Sequence, residues 1–251
     1  SHHIIMDGWS QVLLCNRIAE TYLALLSGKD PQPEPSPDYK LHIDKELQYL
    51  DSAGCRADER YWRGLLETPA EPVSFKEQRG ASVSPVGRRL TYTLPETLNH
   101  AIYTFCQSRR VSPFSPYYMA LAIAARRMGA GRRIAVGVPI HNRTDFIARQ
   151  TTGMFVSTLP LITELDEDWT AEEFNDRLSE TWLELLRHQR YPFQRIEALP
   201  GHDGRLFRVA LSYQDNLSYK NEDTTVRFSG RWNYGGYQAE QLCIHVTNLE
   251  D

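Results

Sequence analysis

The sequence has 251 residues, 41% hydrophobic and 24% charged, which is the balance of a folded globular protein and excludes a disordered, collagenous or coiled-coil chain. Its 28 Lys and Arg stand against 32 Asp and Glu, and the net charge of −4 gives no bulk attraction to nucleic acid or to an anionic membrane. The longest mostly apolar run, Pro113–Ala125, is too short to span a bilayer, and the four scattered cysteines (Cys15, Cys55, Cys106, Cys243) read as reduced thiols of a cytoplasmic protein with no metal site.

In chain order, Ser10–Leu26 carries apolar residues at Leu14, Ile18, Tyr22 and Leu25, close to a 3.6-residue period, and Ser27-Gly28 closes it as a helix. Asp30–Pro37 holds four prolines in eight residues and is an extended connection. Ile43–Leu50 and Asp58–Leu66 read as short helices, with Asp58 as an N-cap. Pro69–Pro85 mixes Pro, Gly and Ser without period and is the candidate linker. Arg89–Leu94 alternates in polarity like a strand, and Pro95–Ser108 and Pro113–Met128 are helices with proline in the first turn. Arg133–Pro139 and Met154–Ile162 are apolar strands. Thr170–Arg187 opens on a capping box, Thr170-x-x-Glu173, with Phe174, Leu178, Trp182 and Leu185 as a buried stripe. Leu206–Tyr213, Thr225–Trp232 and Leu242–Thr247 complete a strand-rich C-terminal part. The class is α/β or α+β around a mixed sheet.

The densest chemistry lies in Ser1-His2-His3-Ile4-Ile5-Met6-Asp7-Gly8-Trp9-Ser10, directly before the first helix. Adjacent side chains of an extended segment face opposite ways, so one imidazole is packed and the other is free to act. Gly8 allows a tight turn or a close backbone approach. Asp7 is placed to be buried and paired, fixing the loop that carries the histidines. Plainer readings are open at this point: a structural histidine pair, an N-cap role for Asp7, and a solvated Arg143. Metal binding by the two histidines and Asp7 is disfavoured, because opposite-facing neighbours are poor co-ligands.

His-His-Ile-Ile-Met-Asp-Gly resembles the HHxxxDG signature of the condensation domains of nonribosomal peptide synthetases. Four further blocks resemble that family in the same order: the tyrosine-tryptophan helix in Leu47–Leu66, VGVPIHNR (Val136–Arg143) with GMFVSTL (Gly153–Leu159), HQRYPFQRI (His188–Ile196) and RVALSYQDN (Arg208–Asn216). Ser157 stands where the family usually has Asn, and Asp215 is inserted before Asn216.

The resemblance implies a chloramphenicol acetyltransferase-like two-lobe sandwich with a tunnel between the lobes. Residues 1–78 are then the remainder of the N-terminal lobe and 79–251 the C-terminal lobe, incomplete at both ends and inactive alone. It implies peptide-bond formation between a donor thioester and an acceptor amine, both on the 4'-phosphopantetheine arms of carrier proteins, with no cofactor bound directly. His3 is then the base or positioning group, His2 its support, and Asp7 a structural residue pairing with Arg143. Ser157, Tyr213 and Gln214 are weaker tunnel-lining candidates. The implied partners are the flanking carrier domains and an adenylation domain, without nucleic acid or membrane. Rival readings are a CoA-dependent acyltransferase of the same superfamily, a non-catalytic module that recruits partners, and an epimerase relative, against which Gly8-Trp9 counts.

Overall fold

A computed structural model describes residues 3–32, 35–75, 86–202, 204–214 and 234–247. Its centre is β2 (Arg133–Ile140), whose residues are nearly all buried. β3 (Ser157–Glu164) runs antiparallel along its whole length, from Arg133↔Glu164 to Ile140↔Ser157. One edge of β2 is thereby filled, so β1 (Glu71–Pro72) and β4 (Val209–Gln214) share the other. Both are parallel to β2, at Ile134-Ala135 and at Gly137↔Ala210. β5 (Leu242–Thr247) continues the sheet in parallel beside β4. The mixed sheet and its flanking helices are the α/β class expected.

Helices cover both faces. Ile134, Val136 and Val138 share one face with Leu159, Leu161 and Thr163. There α5 (Phe114–Arg127) places the Tyr118 hydroxyl 2.8 Å from Thr163 Oγ1, and α7 (Ala171–Arg187) buries Phe174, Leu178 and Leu185. Trp182 is half-buried against the same core. α7 opens on the capping box, with the Thr170 side chain and Glu173 satisfying each other's backbone N–H groups. On the opposite face Gly137 leaves room for the Phe207 ring, which an added Cβ would meet at 2.5 Å, and Phe193 of α8 (Phe193–Glu197) packs at a tilt against Phe207. α3 (Ala53–Glu67) adds Trp62 and Leu66 to this core. α3 and β1, which precede residue 79, therefore share the core of the sheet that follows it.

α1 (Gly8–Leu26), α2 (Lys40–Leu50), α4 (Glu96–Arg109) and the short α6 (Phe146–Gln150) complete the described elements. Three expectations are corrected. Asp58 is not an N-cap: Ser52 caps α3, and Asp58 lies inside the helix. Residues 89–94 form no strand and pair with no described strand, and Leu90, Tyr92 and Leu94 are exposed. Part of the linker, Glu71-Pro72, is in the sheet, and Val73 beside it is buried. The rest of that linker from residue 76, the strand expected at Thr225–Trp232, and Asp215 and Asn216 lie outside the described residues.

Candidate functional site

Asp7 caps α1: its Oδ1 accepts the Ser10 N–H at 2.8 Å. It is also 2% exposed and faces Arg143, itself 1% exposed, across 136 positions of sequence. Arg143 Nη2 lies 2.9 Å from Oδ1 and 3.1 Å from Oδ2, and the Phe155 N–H donates to Oδ2 at 3.0 Å. The cap and the ion pair left open by the sequence are thus both present. Burial pushes the Asp7 pKa up, but the bonds from Ser10 and Phe155 and the charge of Arg143 outweigh it and hold the carboxyl below its ordinary 3.8. With both oxygens engaged, Asp7 has no capacity left to move a proton.

The guanidinium is held as closely. Nη1 donates to the carbonyls of Ala148 and, at 2.6 Å, Thr151. Nη2 also reaches Ser10 Oγ at 2.9 Å, and the Phe155 ring lies 3.9 Å from the guanidinium carbon. A planar group with several fixed donors is required here, and lysine cannot supply it. Gly153 completes the clamp. Its carbonyl accepts the Asp7 N–H at 3.3 Å and its N–H donates to Ser10 Oγ at 2.9 Å. The Tyr39 ring lies over it so closely that an added Cβ would stand 2.1 Å from a ring carbon, and the Tyr39 hydroxyl donates to the Met154 carbonyl.

Sequence reasoning missed Ser10, Gly153 and Tyr39 as parts of this clamp. The three-residue spacing from Asp7 to Ser10 was a readable signal for the first, since it is the spacing of a side chain capping a helix N-terminus. Gly8 departs from expectation: it is the first residue of α1, and an added Cβ would meet no atom within 4 Å, so neither a tight turn nor a close approach calls for glycine there.

His3 lies in a turn, exposed to solvent, and Ile4 and Ile5 beside it are exposed too. His2 lies outside the described residues. Ser157 pairs with Ile140 at the start of β3, on the face of the sheet turned to α5. Tyr213 shares that face and packs, tilted, against Tyr117 of α5, with ring centroids 5.8 Å apart. Gln214 points the other way and donates to Ser212 Oγ at 3.2 Å, so the two neighbours cannot line one wall. A cleft of about 370 Å³ opens between α2 and α6, lined by His42, Lys45, Tyr49, Asp145 and Arg190 among others. None of the sequence-predicted site residues lines it. Among the described residues no group of three or more His, Cys, Asp or Glu is gathered as for a metal ion, and no helix is long and apolar enough to cross a membrane.

The family model described as "Condensation domain" matches residues 1–241. Surfactin synthase subunit 1 of Bacillus subtilis (strain 168) is 32% identical over 255 residues, covering 100% of this chain and 7% of that protein. Enniatin synthase of Fusarium equiseti is 28% identical, covering 96% of this chain and 8% of that protein. Among solved structures, the first condensation domain of the calcium-dependent antibiotic synthetase, in complex with a substrate analogue, superposes with a TM-score of 0.77 at 26% identity. That match covers 86% of this chain and 50% of the other. The chain thus spans about half the length of this solved relative and a small share of the synthetases.

Proposed function

We propose, since this chain belongs to the condensation-domain family, that it serves to join a donor acyl or peptidyl thioester to the amine of an acceptor aminoacyl thioester, each carried on a phosphopantetheine arm. The amine nitrogen attacks the thioester carbonyl carbon. The C–N bond forms, the C–S bond breaks, and the sulfur leaves as a thiol that takes up the proton given by the amine. His3 accepts or orients that proton in transit. A thioester is already activated, so holding the two reactants in contact is worth up to ~7–11 kcal/mol of the barrier.

The observation that supports this reading best is an exposed imidazole on a short loop whose far end is fixed by the buried Asp7–Arg143 clamp. Asp7 and Arg143 are positioning residues in this reading, and His2 supports His3. Ser157 and Tyr213 are candidates for one wall of the tunnel, and Gln214 for another surface. The partners are upstream and downstream carrier domains and an adenylation domain, the setting is cytoplasmic, and the chain binds no cofactor of its own. In this reading residues 1–78 are the remainder of the N-terminal lobe and 79–251 the C-terminal lobe, with α3 and β1 packing against the sheet that follows.

The test is amide formation by the intact synthetase carrying this chain. His3→Ala is expected to lower turnover by roughly 10²–10⁴-fold, with thermal unfolding unchanged because the side chain is exposed. Near-normal turnover overturns the role of His3. Supplying the donor as acyl-CoA instead of acyl-carrier separates the CoA-dependent rival, and failure with both leaves a recruiting module.

A further inference from the structure

The turn that aims Arg143 is built by its neighbours. β2 ends at Ile140, and Asn142 takes φ +49°, in the left-handed region that asparagine enters more readily than other residues with a side chain. Beside it the Arg143 N–H donates to His141 Nδ1 at 3.2 Å. The spacing is that of an Asx turn, with imidazole in place of a side-chain amide. A bond donated to Nδ1 needs a lone pair there, so the ring is neutral and its proton sits on Nε2. The ring also lies against Trp9, with centroids 6.1 Å apart, and the Trp9 indole N–H donates to the Arg149 carbonyl at 2.8 Å. His141 therefore touches both halves of the clamp: the loop that carries Arg143 and the first turn of α1.

We infer that His141 is a positioning residue for the condensation reaction, because by accepting the Arg143 N–H it holds the left-handed turn at Asn142 and so aims the guanidinium at Asp7. This rests on the function proposed above and adds to it the part that sets Arg143. The charged groups facing the ring are Arg149 from α6, Arg143 from its own loop and Asp7 from the start of α1. Partial burial, together with the two arginines, keeps the imidazole neutral below its ordinary 6.5, while Asp7 acts in the other direction. Protonation at Nδ1 removes the acceptor and sets a cation beside two others, so acid releases the turn.

His141→Asn tests this directly. Its Oδ1 is separated from Cα by the same number of bonds as Nδ1, so the acceptor is kept and the titration is lost. His141→Ala removes both. Condensation is followed from pH 8 to pH 5 in the intact synthetase, with a carrier-loaded donor and an aminoacyl N-acetylcysteamine thioester as acceptor, and thermal unfolding is recorded alongside. His141→Ala is expected to lower the rate at pH 8 roughly 2- to 10-fold, the worth of one hydrogen bond. His141→Asn is expected to restore that rate and to lose less of it than the unaltered protein between pH 6.5 and pH 5. A wild-type rate for His141→Ala, or a His141→Asn variant as impaired as His141→Ala, overturns the inference. No amide from the unaltered protein refutes the proposed function instead. The unfolding curves then decide on the turn: a Tm lowered by Ala and restored by Asn supports it, and equal Tm values overturn it.

Discussion

Asp7 gains its structural weight from being saturated. A buried carboxylate whose oxygens accept from two backbone N–H groups and a guanidinium cannot lose its cation without leaving a charge stranded away from water. Breaking such a pair on one side costs ~3–5 kcal/mol. Asp7→Ala is therefore expected to lower Tm by on the order of 10 °C, as thermal unfolding would read. An unchanged Tm would show that the pair does not hold the loop. The pair was legible in the sequence because both residues fall in blocks that resemble the family's, Asp7 in HHIIMDG and Arg143 in VGVPIHNR. The part played by Met154 was not, because it acts through its backbone carbonyl, and a carbonyl leaves no mark on residue identity.

Elements were readable where a periodic pattern met a partner surface. β2, α7 and β5 lie close to where the sequence puts them, the last at Leu242–Thr247 on both counts. β3 begins at Ser157, not at Met154, because the backbone before it is committed elsewhere: the Phe155 N–H goes to Asp7 and the Met154 carbonyl to Tyr39. Residues 89–94 alternate as a strand does, but alternation states only which sides are polar and cannot supply a neighbour to bond with. Asp58 shows the same limit. Its type suits a cap, yet it accepts from the Tyr49 hydroxyl and lies 2.7 Å from His188 Nδ1, tying α2 and α3 to the end of α7. Asp58→Ala strands both partners and is expected to cost about 1–3 kcal/mol, read from the denaturation midpoint. A midpoint equal to that of the unaltered protein would mean the tie is idle.

At the scale of the molecule, the shifted histidines among the described residues share one sign. Burial depresses the pKa values of His42, His141 and His245 from 6.5, with arginines adding to it in each case and nearby carboxylates opposing. A histidine that binds protons more weakly folded than unfolded contributes stability that is complete above 6.5 and falls as the pH drops from there through the folded pKa. Asp7, depressed from 3.8, adds a second loss only below that pH. Unfolding free energy should thus decline from pH 7 to pH 5 and again below pH 4. Constant stability from pH 7 to pH 5 would contradict the histidine assignment.

The way α1 is mounted has a mechanical consequence. Ser10 and Ala19 are its buried residues, while Leu14, Ile18, Tyr22 and Leu25 stand exposed along its length. Its anchorage is concentrated at the N-terminal turn, where Asp7 and Ser10 are bonded to Arg143 and Trp9 to the Arg149 carbonyl of α6. A beam gripped at one end is stiff near the grip and sways at the tip. Amide hydrogen exchange should accordingly be slowest around Gln11, whose N–H is bonded to the Asp7 carbonyl, and quicken toward Leu26. A body that seats on the swaying end would bend the rod against its mount, and the turn that carries His3 leaves from that mount.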